Sequence, residues 1–317
     1  MIKIKIKKAG FQDTYQDLGR FGWRKFGVPV SGAVDIFSHQ WANWLVGNPI
    51  DFPTLEMTLK GGRYEFLANA QIAITGADFS PTINDKSIPN NQTIEVQKGD
   101  ELNFSSAKKG CRAYLAIQGK INLTASFGSY STYLNGQFGG FQGRFLKKED
   151  IITIENKSQN SSISLLKRTL PEHFQMKNFN YITVRIIKGI EYNWLDETSK
   201  NRLFQQPFKV SNQSNRMGMQ LESEPLIQQT NQQMISSGTT IGTMQLLPNG
   251  QIVVLLQDGQ VTGGYPRIAN VIQADLFRLA QLPPNGKIKF KVINRLEAIN
   301  VWRYQVEKMK HFMEKAQ

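Results

Sequence analysis

The sequence contains a single cysteine, Cys111, in 317 residues. An internal disulfide is excluded, and so is a zinc site built on several thiolates. A chain that folds without disulfides suits a reducing compartment. Cys111 lies in the apolar run CRAYLAIQG and reads as a buried structural residue. Histidine is almost as scarce. His39, His173 and His311 are far apart, and none has a second ligand at metal-binding spacing. Each reads as structural or solvated, and no metal is expected. No run of about 18 apolar residues occurs, so no membrane-spanning helix is expected. The opening MIKIKIKKAG alternates isoleucine with lysine and lacks the apolar block of a signal peptide. A cytoplasmic protein with no membrane association is the expectation.

Several chemistries are missing as well. There is no Gly-x4-Gly-Lys-Ser/Thr loop, so this chain offers no familiar cradle for ATP. There is no Ala/Met-Lys-Met carrier motif, so no biotin is attached to it. The net charge of +13 raises the question of nucleic acid. However, no basic motif interleaved with aromatics is present, and Lys3, Lys5 and Lys7 alternate with isoleucines as on one solvated strand face. The basicity is therefore read as diffuse. It suits acidic substrates or an acidic partner, and no nucleic acid.

What the sequence has in quantity is short β-rich runs. YEFLANAQIAITG, QTIEVQKGDELNF, CRAYLAIQG, DIITIEN, YITVRIIKG, QIVVLLQDG and GKIKFKVIN are bounded by Gly, Asn or Pro. Many strands at close spacing predict a mainly β protein built of barrels or sandwiches. Helices are few. VDIFSHQWANWLVGN predicts one that stops at Gly47, with Asp35 as its N-cap. A weaker one covers 194–204, NVIQADLFRLAQL predicts a third, and 299–317 a terminal amphipathic helix. The Ser/Asn/Gln-rich stretch between Asn156 and Met176 marks a boundary. The expected organisation is a β-rich unit at 1–156, a polar linker at 157–179, a second β-rich unit at 180–298, and the helix.

Six short blocks concentrate acids, arginines, glycines and hydroxyls: residues 13–22, 27–49, 74–78, 127–144, 211–221 and 257–276. Asp17 and Arg20 are three apart on a Gly-bearing turn and can pair or face a ligand. Asn43 lies in the first helix with its orientation open. Glu56 sits in the apolar PTLEMTL, where a carboxylate faces outward or is functional. Asp78 ends a strand near Gly76. Ser129, Ser131 and Thr132 form a hydroxyl cluster without a triad histidine nearby. Arg216 suits a carboxylate or phosphate clamp. Asp258, in QDGQ, is a hairpin-turn residue or a base. Gly263 and Gly264 can take positive φ and let a ligand approach the backbone. Tyr265 can donate a hydrogen bond, and Pro266 fixes the turn.

In order and spacing these blocks resemble the biotin-dependent carboxyltransferase family, also called the allophanate hydrolase subunit 2 domain. That family includes KipA-type proteins and the C subunit of bacterial 5-oxoprolinase, which the chain resembles most. The resemblance rests on Gln16-Asp17-x-Gly19-Arg20, Gly27-Val28-Pro29-x-Ser31-Gly32-Ala33-x-Asp35, Ala42-Asn43-x-Leu45-Val46-Gly47-Asn48, Glu56 and Thr75-Gly76-Ala77-Asp78. It continues through Gly128-Ser129-x-Ser131-Thr132, Ser214-x-Arg216-Met217-Gly218, Gly242-x-x-Gln245 and Thr262-Gly263-Gly264-Tyr265-Pro266. Three departures stand out: Gly119-Lys120-Ile121, Lys147-Lys148-Glu149-Asp150, and Asn215 at a position that is usually Asp.

The resemblance implies cyclophilin-like β-barrels, a KipI-type partner subunit and often a LamB/YcsF-type one. For the enzyme it implies opening of 5-oxoproline to glutamate with ATP, with the ATP bound by or shared with the partners. The alternatives it implies are carboxyl transfer to urea or a related amide, or regulatory binding of a KipI-type kinase inhibitor. Each enzymatic reading has a small lactam or amide as substrate. By the same resemblance, Asp258, Tyr265 and Arg216 are catalytic candidates. The substrate-binding candidates are Asp17, Arg20, Asn43, Glu56, Asp78, Ser129, Ser131, Thr132, Met217, Gln245, Gly263, Gly264 and Pro266.

Overall fold

The computed structural model describes residues 1–155, 167–177, 179–229 and 232–315. The chain divides into two compact units. The first holds 1–21 and 31–177, and the second holds 22–30 and 178–317.

The Ile-Lys alternation at the start becomes the strand Ile2–Lys8 of the first unit. Ile2, Ile4 and Ile6 are buried, while Lys5 meets Glu149 and Lys7 meets Glu65 and Glu101. Around this strand runs a sheet ordered Lys120–Ile121, Ile151–Glu155, Ile2–Lys8, Arg63–Phe66, Glu101–Asn103, Thr82–Ile83 and Lys86–Ser87. A second sheet runs Asp13–Gln16, Thr54–Thr58, Lys109–Ile117, Ala70–Asp78 and Thr93–Val96. Both sheets feed one core, with Ile4, Tyr64, Phe66 and Leu102 from the first and Leu55, Met57, Ile72, Ile74 and Leu115 from the second.

Helix α1 (Ile36–Leu45) packs on the strands Ala70–Asp78 and Lys109–Ile117. The second sheet is therefore covered on both faces, and Thr54–Thr58 is buried at every position. That coverage explains why its sequence does not alternate cleanly. Leu55 and Met57 enter the core. Thr54 and Glu56 serve the helix side, where polar partners await them. Asp35 caps α1 as expected, accepting from the Ser38 backbone N–H at 3.0 Å and from its hydroxyl at 2.6 Å.

In the expected linker, residues 156–166 and 178 lie outside the described residues. Residues 167–177 belong to the first unit. Thr169 bridges to Gln92, Leu170 is buried, and the Arg168 guanidinium lies 4.8 Å from the Trp44 ring centre.

The second unit is a closed barrel. Its strands, in order around it, are Tyr181–Lys188, Arg267–Val271, Thr243–Leu246, Ile252–Leu255, Gly218–Glu222, Phe208–Val210 and Lys287–Val292. The first and last pair in parallel and the rest antiparallel. Closure leaves no long sheet edge exposed. Ile182, Val184, Phe208, Met219, Val254, Ile268, Ile288 and Phe290 are all buried.

Three helices accompany the barrel: α2 (Glu197–Gln205), α3 (Leu276–Ala280) and α4 (Arg295–Lys315). The helix expected over 270–282 is reduced to a 3-10 turn and the five residues of α3. Asn270 and Val271 stay in a strand, and the Asp275 carboxylate pairs with Arg185 without capping the helix. The terminal helix begins four residues earlier than its apolar pattern suggests, at Arg295 against the expected 299. Asn294 and Glu297 set this start by each accepting the other's backbone N–H at 2.9 Å, a reciprocal cap.

Two buried groups of the first unit titrate in opposition. Asp13 Oδ2 accepts from the Gly10 N–H and the Tyr64 hydroxyl, and burial pushes its carboxyl up to about 6. Burial pushes the His39 imidazole down to about 4. The unfolded values are about 3.9 and 6.5. Asp13 therefore takes stability from the fold as pH rises from about 4 to about 6, because its proton is held more tightly when folded. His39 takes stability away as pH falls from about 6.5 to about 4, because the unfolded chain binds that proton more readily. Each effect is on the order of 3 kcal/mol across its window, and in the parent they oppose each other. Urea midpoints between pH 4 and 7 should fall more steeply toward acid in Asp13→Asn than in the parent. The His39→Gln variant should show the reverse change in slope. A slope unchanged by Asp13→Asn would show that burial does not govern that carboxyl.

Candidate functional site

In the first unit, Asp17 is the centre of a hydrogen-bond hub. Its carboxylate accepts from the Gly19 N–H at 2.8 Å, the Ser129 hydroxyl at 2.7 Å, the Tyr130 N–H at 2.6 Å and the Ser131 hydroxyl. The Thr132 N–H and hydroxyl both donate to the Tyr15 carbonyl. Arg20, 1% exposed, donates to the Ser131 carbonyl and lies 4.9 Å from the Phe138 ring centre. The glycines of the 139–140 turn permit this packing. A Cβ on Gly140 would sit 1.8 Å from Thr132 Oγ1. Asp17, Arg20, Ser129, Ser131 and Thr132 are thus brought together, with Thr132 tied to the Tyr15 carbonyl and the other four bonded among themselves.

Glu56 is neither outward nor isolated. Its carboxylate accepts from the Val34 N–H at 2.9 Å and the Tyr114 hydroxyl at 2.7 Å, with Arg112 at 3.8 Å. The same hydroxyl accepts from the Asp35 N–H. Burial and the neighbouring carboxylates of Glu56 and Asp35 hold the Tyr114 phenol well above its usual range. His39 Nδ1 lies 2.8 Å from Thr54 Oγ1. Asn43 donates to the Phe52 carbonyl at 2.7 Å and fastens the loop after α1. Asp78 Oδ1 accepts from the Ser80 N–H, and the Asp78 carbonyl accepts from the Lys108 N–H. Each of these side chains has an architectural task.

In the second unit, the residues read as clamp and base form one buried ion pair. Arg216 Nε reaches Asp258 Oδ2 at 2.8 Å and Nη2 reaches Oδ1 at 3.3 Å. The Asp258 N–H also donates to the Arg216 carbonyl. The pair therefore fixes the turn 256–260 against 215–217. Met217 follows, 38% exposed, and its carbonyl accepts from the Leu256 N–H. Asn215 Oδ1 accepts from the Met217 N–H at 2.8 Å. An aspartate oxygen would do the same, so Asn215 keeps the turn without the charge.

The glycines of the TGGYP stretch differ from expectation. Neither Gly263 nor Gly264 has positive φ. Gly263 is extended because it belongs to a two-stranded ribbon in which Thr262–Gly263 pairs with Ser237–Gly238. Its need for glycine is steric. A Cβ there would lie 2.5 Å from Nε2 of both Gln245 and Gln260. The positive φ falls instead at Gly242, φ 87°, where a Cβ would approach the Val271 carbonyl to 2.8 Å. A Cβ on Gly264 meets only ordinary contacts at 3.5 Å. Tyr265 is 41% exposed, and Pro266 is buried with its carbonyl accepting from the Leu246 N–H.

Sequence reasoning missed Gln260, which donates to Gln245 Oε1 at 3.1 Å, and Thr239, whose carbonyl accepts from Arg24. It also missed the Glu191–Arg267 pair, joined by two side-chain hydrogen bonds. No local pattern signals these, since 15, 215 and 76 residues separate the partners. Among the described residues, no group of three or more His, Cys, Asp and Glu is placed to hold a metal ion. No described helix is long and apolar enough to cross a membrane.

The family described as carboxyltransferase domain, subdomain A and B, matches residues 26–292, and the chain belongs to it. The chain is 36% identical over 298 residues to the 5-oxoprolinase C subunit of Escherichia coli K12, covering 93% of each. It is 33% identical over 301 residues to the protein of that name in Haemophilus influenzae, covering 95% of this chain and 94% of that one. The K. lactis urea amidolyase structure superposes with a TM-score of 0.91 at 28% identity, over 99% of this chain and 20% of that one.

Removing one member of the Arg216–Asp258 pair should strand the other in a buried site. Arg216→Met should cost about 3–5 kcal/mol in urea unfolding, and Asp258→Leu a similar amount. The double variant should recover much of the loss. Arg216→Lys should not restore the parent, because one ammonium cannot make two directed bonds. Additive losses in the double variant would show that the two side chains do not depend on each other.

Proposed function

We propose that the chain is the C subunit of an ATP-dependent 5-oxoprolinase, acting with a KipI-type B subunit and a LamB/YcsF-type A subunit. The observation that carries this reading is the match to the 5-oxoprolinase C subunit over 93% of both chains at 36% identity. The reaction opens a five-membered lactam. Amide resonance makes its carbonyl carbon a poor electrophile, and phosphorylation of the amide oxygen by ATP removes that resonance. Water then adds at carbon and the C–N bond breaks, which frees the amine and leaves the new carboxyl as an acyl phosphate; a second water releases the phosphate, so two waters and one ATP give glutamate, ADP and phosphate. The reaction needs donors at the amide oxygen and a partner for the developing charge.

On this reading the chain's contribution is to bind and orient. The Arg216–Asp258 pair holds the turn 256–260 and so places Gln260 beside Gln245 and Gly263. ATP is assigned to the partner subunits or shared with them, in line with the missing phosphate-loop motif. A second reading, carboxyl transfer to urea or a related amide from a biotin carried elsewhere, is favoured by the fold shared with the K. lactis urea amidolyase.

Co-expression with the A- and B-type subunits should give ATP-dependent glutamate release from 5-oxoproline. The isolated chain should release none. Turnover by the chain alone would overturn the partnership. A complete complex that is silent with 5-oxoproline, yet consumes carboxybiotin in the presence of urea, would replace the first reading with the second.

A further inference from the structure

We propose that Gln245, Ser237 and Gln260 form a subsite for a neutral carbonyl oxygen beneath the ribbon Ser237–Gly238/Thr262–Gly263, and that it receives the ring carbonyl of the lactam. The choice of ligand rests on the functional reading above, while the location rests on geometry alone. Gln245 is 2% exposed, and among the described residues its Nε2 has no hydrogen-bond partner. Ser237 Oγ is likewise buried without a partner among them. Two orphaned donors in one small region are unusual, since buried polar groups are nearly always paired.

They converge on Gly263. Ser237 is directly opposite Gly263 in the antiparallel ribbon, so its side chain leaves on the face where a Gly263 side chain would leave. That face looks onto the amides of Gln245 and Gln260, each with Nε2 2.5 Å from the position of such a Cβ. Gly263 therefore leaves room for the two amides themselves, and their N–H groups gather on the face that also carries the Ser237 hydroxyl. Those groups are uncharged and can all donate, which suits a neutral acceptor better than a phosphate or a cation. Gln260 is itself oriented from behind, its carbonyl accepting from the Thr239 hydroxyl.

The three groups lie by a ribbon of two residues per strand, with Gly238, Thr262 and Gly264 exposed. Admitting a ligand breaks few hydrogen bonds. The competing occupant is a single buried water, which would also satisfy these donors.

The test uses Gln245→Met and Ser237→Ala, which remove the donors with little change of shape, and Gly263→Ala, whose methyl pushes the two amides from their places. In the reconstituted complex, each should raise the KM for 5-oxoproline about tenfold, the worth of one hydrogen bond. The kcat should stay within a factor of two. In the full chain by itself, 2-pyrrolidinone should raise the melting temperature of the parent but not of Gln245→Met. L-proline, which lacks the ring carbonyl, should raise neither. If the complex releases glutamate with an unchanged KM in Gln245→Met and Ser237→Ala, the subsite is overturned and the functional reading stands, with a buried water as Gln245's partner. If the complex releases no glutamate, the functional reading fails and 2-pyrrolidinone decides the subsite. A rise lost in Gln245→Met supports it. No rise in the parent, or an equal rise in both, overturns it.

Discussion

A carboxylate taken out of water must be given donors, and both units of this chain are organised around that demand. Asp17 collects four of them, two from side chains and two from the backbone, on both sides of a gap of more than 100 residues. Glu56 collects a backbone N–H, a phenol and a nearby guanidinium. Asp258, Glu191 and Asp275 each take a forked arginine. Loops that carry few apolar contacts are held in place by these groups, because leaving any one lone pair unmet in the interior costs on the order of a few kcal/mol. The charge that stands out in the sequence at these positions also gives the surrounding backbone a fixed shape.

That arrangement bears on where chemistry can occur. Of these carboxylates, Asp17 accepts four hydrogen bonds, while Asp258 shares its two oxygens with Arg216. Among the described buried groups, Gln245 Nε2 in the barrel and the Ser237 hydroxyl in the neighbouring ribbon have no partner. On the function proposed above, in which the chain binds and orients an amide, such neutral donors are apt, because their strength does not change with pH.

The sequence reveals most of what depends on neighbours along the chain. Alternation locates the strands Ile2–Lys8 and Tyr181–Lys188, and Asp35 announces its own cap. It does not show what depends on pairing across the fold. Arg216 and Asp258 stand 42 residues apart and look like two separate functional groups until the barrel brings them together. Glu56 cannot be placed from its neighbours, because its strand is covered on both faces and carries no period. Gly263 suggests dihedral freedom, when the reason for glycine there is the space its neighbours need. A glycine's sequence context cannot distinguish those two causes. The boundaries of α3 and α4 escape the sequence for a related reason: one turns on an ion pair to Arg185, the other on a reciprocal cap at Asn294.

The parallel pairing of Tyr181–Lys188 with Lys287–Val292 has a consequence for how the second unit comes into being. The barrel's first strand and its last are neighbours, so the ring has a gap until the final strand is made. During synthesis the first unit can complete both sheets while the second is still an open sheet with two bare edges. Bare edges invite pairing with other chains. The interval is about 100 residues of translation, several seconds at ordinary elongation rates. The lysines at 287, 289 and 291 give the closing strand charges that discourage it from pairing with the wrong edge.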